Sequence, residues 1–131
     1  MPSEGEPSDQ KMTEEYHFDI EPYLMTILSK KFKMVARDMT QSLLRAARSG
    51  VINTARDFSS VITRYDGQQF IIDEGLPVHS ANINFTPEFT IDHFDDIEPG
   101  DAFLTNSPYA GNTHHADYTI HVPVFYEGEP L

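Results

Sequence analysis

The sequence predicts an α+β fold, in which a long N-terminal amphipathic helix is followed by antiparallel strands that form part of a larger, barrel-like β-rich domain. Three observations predict it. A long segment repeats apolar residues at helical spacing, an Asp-Gly pair separates two short apolar runs, and the end of the chain alternates apolar and polar residues. A helix face recurs every three to four residues and a strand face every second residue. A helix followed by a mainly β remainder is the element order of an α+β domain.

Residues 1–18 precede the first periodic segment. They mix proline, glycine, serine and acidic residues without apolar periodicity. Such a segment buries too little apolar surface to offset the entropy lost on ordering. We therefore expect a flexible acidic tail over residues 1–18 and a folded part over residues 19–131.

The helix is predicted from about Ile20 to Arg48, with Asp19 as a candidate N-cap and Gly50 as its terminator. Its apolar residues recur at steps of three and four, which is the spacing of one helix face. This apolar stripe consists of Leu24, Leu28, Phe32, Val35, Met39, Leu43 and Ala46. We expect the stripe to pack in the core rather than to bind a cofactor.

Two paired strands, Ser59 to Tyr65 and Gln69 to Asp73, are predicted around the Asp66-Gly67 pair. That pair favours a primed hairpin turn, in which both central residues have positive φ. Glycine and proline indicate irregular chain over residues 75–85. A short helix follows, with Thr86 as N-cap and its end near Phe94, and then a short strand over residues 102–106.

The end of the chain predicts one strand with an apolar face. The apolar positions of this face are Tyr118, Ile120, Val122, Val124 and Tyr126. Pro123 cannot donate a ladder hydrogen bond, so it favours an edge strand or a bulge. Glu127-Gly128 begins a turn, and the returning strand is expected just where the chain stops, at Leu131. A hairpin cut in half leaves unpaired backbone groups, which indicates a truncated or split subunit.

The charge balance limits the candidate partners. Nine Lys and Arg against 21 Asp and Glu give a formal net charge of −12. Phosphate backbones and anionic lipids would repel such a chain, so nucleic acid and membrane are excluded as partners. The chain has no cysteine, which excludes thiol catalysis and disulfides and is compatible with a reducing compartment. No apolar run is long enough for a membrane span and no signal peptide is visible, so we expect a cytoplasmic protein.

The segment GNTHHADYTIH, from Gly111 to His121, contains three of the six histidines. Imidazole and carboxylate are the usual ligands of Zn, Mn, Fe or Ni where no thiolate is present. His114 and Asp117 enter a strand from a loop, where both side chains can converge on one ion, whereas His115 and His121 point elsewhere. Two ligands do not complete a site. The alternative is that these are surface or hydrogen-bonded histidines at a strand end.

Other sites find little support in the sequence. It has no G-x-S-x-G elbow and no glycine-rich phosphate loop, so it indicates neither a serine hydrolase nor a nucleotide site. The acidic pairs Asp73-Glu74 and Asp95-Asp96 are typical of solvated surface in an acidic chain. No catalytic residue and no cofactor-binding residue is assigned.

Three segments together resemble the start of the hydantoinase B family. They are LLRAARSGVINTARDFSSVI, from Leu43; LPVHSANI, from Leu76; and IEPGDAFLTNSPYAGNTHHADYTIHVPVFYEGE, from Ile97. The longest motif is Asn-x-Pro-Tyr-x-Gly-x-Thr-His-x-x-Asp, which runs from Asn106 to Asp117 and has His114 as its histidine. The family includes N-methylhydantoinase B-type subunits, the C-terminal half of 5-oxoprolinase, and subunits of acetone and acetophenone carboxylases.

The resemblance implies a hetero-oligomeric, ATP-dependent amidohydrolase or ketone carboxylase, of which residues 19–131 are the N-terminal part. ATP is held by a hydantoinase A-type subunit, which activates the substrate, and the B-type subunit opens the cyclic amide or carboxylates the ketone. The resemblance also implies a divalent metal, Mn, Zn or Fe, held by His114 and Asp117 and completed by residues outside this chain, so the chain would not be active alone.

The sequence departs from the family pattern at three places. Ser107 replaces an aspartate that many members carry, and Gly111-Asn112 replaces a pair of glycines. His79 is followed by Ser-Ala-Asn-Ile instead of the family's hydrophobic-Gly-Ser-Met, so no role is carried over to it. A second hypothesis stays open because a third ligand and the remainder of the family fold are missing: the chain is a small subunit without chemistry that docks on larger partners.

Overall fold

A computed structural model describes residues 21–73 and 76–131. The predicted tail, the predicted cap Asp19 and the predicted helix start at Ile20 lie outside these residues. The elements are α1 Pro22–Ala46, α2 Gly50–Asn53, β1 Ser60–Thr63, β2 Gln69–Asp73, α3 Pro77–Asn82, α4 Phe85–His93, β3 Phe103–Thr105, a 3₁₀ turn Pro108–Ala110, β4 Thr119–His121, β5 Phe125–Tyr126 and β6 Glu129–Pro130. The α+β prediction is confirmed: a long helix precedes strands that pair only antiparallel in the described residues.

The long helix α1 packs on the hairpin of β1 and β2. Pro22 opens the helix at a position where its missing N–H is not needed. Ala36 and Thr40 are fully buried against the hairpin, and the Thr40 hydroxyl donates to the carbonyl oxygen of Asp73 at 3.4 Å. At the edge of this contact the ring of Phe32 meets that of Phe70 edge-on, with centroids 5.1 Å apart.

The expectation that the apolar stripe packs in the core is wrong for the described part of the chain. The large side chains of the stripe are between 37% and 51% exposed, because the helix is turned so that small Ala36 and Thr40 face the hairpin. Small side chains let the helix backbone approach a strand closely, whereas the stripe's larger side chains lie beside that contact. Gly50 also does not end the helix, which stops at Ala46; Gly50 begins α2, capped by Ser49.

The predicted hairpin is present, but its turn differs from the prediction. Gly67 has φ of +83°, whereas Asp66 keeps a negative φ. The Gly67 N–H donates to Arg64 O at 3.0 Å, and Asp66 Oδ1 accepts from the Gln68 N–H at 3.1 Å. The loop is therefore longer than a two-residue primed turn, and only its last position needs the left-handed conformation.

The second half of the chain corrects four predictions. The segment predicted to be irregular contains α3, and Thr86 lies inside α4 rather than capping it. β4 stops before Pro123, where the ladder loses its donor. Glu127 and Gly128 both have positive φ and connect β5 to β6, so the returning strand begins within the chain.

β3 and β4 form the sheet that positions the candidate site. They pair antiparallel, with Phe103 opposite His121 and Thr105 opposite Thr119. The 3₁₀ turn after β3 packs on α4 and leads into the histidine-containing loop. Among the described residues, no helix is both long and apolar enough to cross a lipid bilayer.

Candidate functional site

The loop between β3 and β4 is held from inside by Asn112. This side chain is buried, and its Nδ2 donates to the carbonyl oxygens of Thr105 at 3.3 Å and Asp117 at 3.0 Å. Both partners are acceptors, which fixes the orientation of the amide. Just before it, Gly111 has φ of +94° and lies against Phe85 of α4. The loop is thereby fixed both to its own sheet and to a neighbouring helix.

His114 and Asp117, the two predicted metal ligands, lie together in this loop. The distance from His114 Nε2 to Asp117 Oδ2 is 3.5 Å. The same carboxylate oxygen accepts a hydrogen bond from the Thr113 hydroxyl, which orients the Asp117 side chain. His114 Nδ1 accepts from the Ala116 N–H at 3.1 Å. In the neutral ring the proton therefore lies on Nε2, facing Asp117.

A third side chain, His79 of α3, reaches the same carboxylate. Its Nε2 lies 3.7 Å from Asp117 Oδ2 and 3.8 Å from Asp57 Oδ1. Its Nδ1 is 2.9 Å from Ser59 Oγ, in the residue just before β1. The His79 side chain is 15% exposed, against 63% for His114. Ser59 therefore fixes a largely buried ring so that Nε2 points between two carboxylates.

Sequence reasoning missed Asp57, Ser59 and His79 as members of this group. They are far from Asp117 along the chain, and they join this group only because His79 of α3 lies within 4 Å of Asp57, Ser59 and Asp117. A signal was available, because all three lie in segments that carry the family resemblance. No role was assigned to His79 from the sequence, because the residues after it depart from the family pattern.

The other two histidines of the segment make different contacts. His115 is exposed, and its carbonyl oxygen accepts from Asn106 Nδ2 at 3.0 Å. His121 lies in β4 and stacks on Phe103, with centroids 5.3 Å apart. Its Nε2 is 2.7 Å from Thr90 Oγ1, whose proton is already donated to Thr86 O at 3.0 Å. His121 Nε2–H is therefore the donor, and the neutral ring leaves Nδ1 unprotonated.

We expect His121 to make the chain less stable in acid. Its Nδ1 is buried and has no hydrogen-bond partner among the described residues, and burial lowers the pKa of His121 below its ordinary value of 6.5. As pH falls through 6.5, the unfolded chain takes up a proton that the folded chain still excludes, so stability present above 6.5 is lost.

Chemical denaturation between pH 7.5 and pH 5 measures this effect. His121→Gln keeps a donor for Thr90 but cannot be protonated. The slope of its unfolding free energy against pH should therefore be smaller than that of the parent, by the equivalent of up to one bound proton. His115→Gln, at an exposed position, is the matched control and should keep the parent slope. Equal slopes for the parent and His121→Gln would show that His121 does not cause the loss of stability in acid.

The donor atoms partly fit a divalent metal. Ligand bonds of about 2.0–2.2 Å place two donors of a tetrahedral site roughly 3.3–3.6 Å apart, and the His114–Asp117 distance of 3.5 Å agrees with this. Binding through His114 Nε2 would require its proton to leave and the contact with Ala116 to open. Within residues 21–73 and 76–131, no three histidine or carboxylate side chains converge closely enough to hold a metal ion.

Comparison with known proteins identifies similar chains. A family model described as hydantoinase B/oxoprolinase matches residues 21–131. The 5-oxoprolinase PfmaA of Pestalotiopsis fici is 30% identical over 112 residues, which are 85% of this chain and 9% of that protein. The beta subunit of the caprolactamase of Pseudomonas jessenii is 26% identical over 111 residues, which are 84% of this chain and 19% of that protein.

A solved structure has the same fold. The nucleotide-free structure of acetone carboxylase, an enzyme of ATP-dependent acetone carboxylation, superposes with a TM-score of 0.76 at 21% identity. The match covers 85% of this chain and 15% of that one. This chain therefore spans between 9% and 19% of the length of these three similar proteins.

Proposed function

Since the chain belongs to the hydantoinase B/oxoprolinase family, we propose that it forms the N-terminal part of a B-type subunit in an ATP-dependent complex. The complex opens an activated cyclic amide or carboxylates an activated ketone. The observation that carries the proposal is the His114–Asp117 pair, which lies in a folded loop within the segment that matches the family. Two similar proteins are named for the cyclic amides 5-oxoproline and caprolactam, and the solved structure for acetone.

His114 and Asp117 are the residues of this chain that would hold a divalent metal, Mn, Zn or Fe. Such an ion supplies Lewis-acid polarisation of a carbonyl or carboxyl oxygen when it is bound. Asp117 provides the negative charge, and the Thr113 hydroxyl holds its carboxylate in place. Further ligands come from the remainder of the B-type subunit.

His79 also faces the same carboxylate oxygen. Its ring is fixed by Ser59 at 2.9 Å, and its Nε2 lies 3.7 Å from Asp117 Oδ2. We expect His79→Ala to remove this outer partner of Asp117 and to weaken Mn²⁺ binding roughly 10-fold to 100-fold, the usual cost of losing an outer partner of a ligand. Isothermal titration of the reconstituted complex measures it. Ser80→Ala, on the same helix as His79, is the control, and equal weakening by both variants would contradict this role.

The partner would be a hydantoinase A-type subunit that holds ATP, and the assembly would be a hetero-oligomer. Supporting this, two similar proteins are themselves named as components of larger enzymes. One is the caprolactamase beta subunit, and the other is a B-type component of a D-/L-hydantoinase from a Pseudomonas strain. Outside α1, several large apolar side chains are mostly exposed, among them Leu104, Ile120 and Val124, as expected of a chain that binds larger partners.

The test is reconstitution of the complex with the A-type subunit and the remainder of the B-type subunit. ATP-dependent turnover of 5-oxoproline, caprolactam and hydantoin, and ATP-dependent carboxylation of acetone, are measured beside metal content. We expect His114→Ala to lose both turnover and metal, and His115→Ala to keep both. Unchanged metal content and turnover in His114→Ala would exclude the proposed site.

A second function, a docking subunit without chemistry, is favoured by one observation. Among the residues that the structure describes, no three donor side chains lie close enough together to hold a metal ion. If this hypothesis holds, the complex requires the chain for assembly, while His114→Ala and Asp117→Ala leave turnover unchanged.

A further inference from the structure

The apolar stripe of α1 remains partly open after the helix has packed on the β1–β2 hairpin. Its six large members keep between 37% and 51% of their surface exposed. They are Leu24, Leu28, Phe32, Val35, Met39 and Leu43. The edge-on contact between Phe32 and Phe70 extends this apolar surface onto β2, where Phe70 is itself half exposed. A continuous apolar face of this kind is typical of a protein–protein contact.

The spacing of the six large stripe residues is the same in both directions along the helix. Three pairs of stripe residues are centred on one point, between Lys33 and Met34. The pairs are Leu24 with Leu43, Leu28 with Met39, and Phe32 with Val35. A helix with such an order presents matching positions to a copy of itself that runs the opposite way. This is the requirement for a twofold interface, in which one patch binds the same patch of the partner.

The charges beside the stripe are complementary when two copies of the helix pair antiparallel about a twofold axis. Lys31 and Asp38 are seven residues apart, so they lie on one flank of the helix, and both are exposed. In an antiparallel pair each flank faces the same flank of the other copy. With the centre between residues 33 and 34, Lys31 of one copy comes within about 3 Å, along the axis, of Asp38 of the other.

We propose that the apolar stripe of α1 binds the same stripe of a second copy of this chain, antiparallel about a twofold axis. Apolar residues at steps of three and four on both helices provide the ridges and grooves of such a helix pair. The Lys31–Asp38 contacts favour the antiparallel register, because a parallel pair places each flank against the opposite flank of the other copy and separates these two charges. The inference goes beyond the proposed function and does not depend on it.

Single cysteine variants of the full chain test the geometry, since the chain itself has no cysteine. Two copies of Val35 lie about 4.5 Å apart along the axis in this arrangement, and two copies of Leu24 about 28 Å apart. Under mild oxidation, Val35→Cys should form a covalent dimer and Leu24→Cys should not. A covalent dimer from Leu24→Cys would overturn the antiparallel arrangement, because a parallel pair brings the two copies of that residue together.

Sedimentation velocity on the chain at tens of micromolar tests the surface itself. We expect twice the monomer mass for the parent and a loss of the dimer in Leu28→Glu. Met34→Glu, on the opposite side of the same helix and 65% exposed, is the matched control and should stay dimeric. Circular dichroism verifies that all variants keep their helix content. A monomeric parent, or a dimer that survives Leu28→Glu, would overturn the proposal.

Discussion

Gly111→Ala should destabilise the chain by several kcal/mol and disorganise the histidine-containing loop. A Cβ at this position would lie 2.5 Å from Phe85 Cβ and 2.8 Å from the Thr86 nitrogen, and the backbone has φ of +94°. The left-handed conformation costs a residue with a side chain roughly 1–2 kcal/mol, and overpacking adds roughly 1–3 kcal/mol. The affected atoms are the Phe85 Cβ and backbone atoms of α4, and none of them can turn aside as the far end of a flexible side chain could.

Gly100→Ala is the matched control for this prediction. Gly100 has φ of +103° but no atom within 4 Å of a built Cβ, so its substitution adds the backbone cost without the overlap. Urea denaturation of both variants should show the larger loss for Gly111→Ala, by roughly 1–3 kcal/mol. Equal losses would show that Gly111 is required only for its φ, and that the loop is not pressed against α4.

Asp117→Asn should abolish metal binding by the complex while leaving the fold intact. Asparagine has nearly the shape of aspartate, and its side-chain oxygen can still accept from the Thr113 hydroxyl. The negative charge that two histidines face, at 3.5 Å and 3.7 Å, is lost. We expect a fall in Mn²⁺ affinity on the order of 100-fold or more, since even outer partners of a ligand contribute 10-fold to 100-fold.

Metal content and turnover of the reconstituted complex measure this effect. Asp96→Asn removes the same charge from an exposed position in the chain before β3, and it should change neither quantity. A complex that carries Asp117→Asn and keeps its metal would contradict ligation by Asp117. If metal is lost while turnover persists, the metal is not required for the chemistry.

Local patterns predicted the elements well and their ends less well. The period of the apolar stripe is sufficient to identify α1, because a helix face repeats along a continuous segment. The Asp66-Gly67 pair located the hairpin, although the turn itself is longer than predicted. The helix α3 departs from the predicted irregular chain because Pro77 stands in its first turn, where the missing N–H of proline is not needed.

The candidate site was predicted only in part, because some of its contacts join residues that are close in sequence and others join residues that only the fold brings together. His114 and Asp117 are three residues apart, so one loop conformation is enough to bring them together, and the sequence could indicate that. His79 reaches Asp117 only through the packing of α3, and a distance across the fold leaves no periodic trace in the sequence. The approach of Ser59 to His79 depends on the same packing.

By itself, then, the sequence determined what depends on neighbours along the chain: the long helix, the hairpin, the acidic charge, the family and the His114–Asp117 pair. Tertiary structure alone decided which side of α1 is buried. The sequence favours the large apolar residues of the stripe, but the hairpin accepts Ala36 and Thr40, because close approach of a helix to a strand requires small side chains. The stripe is left open as a consequence, and it is this open surface that we propose joins two copies of the chain.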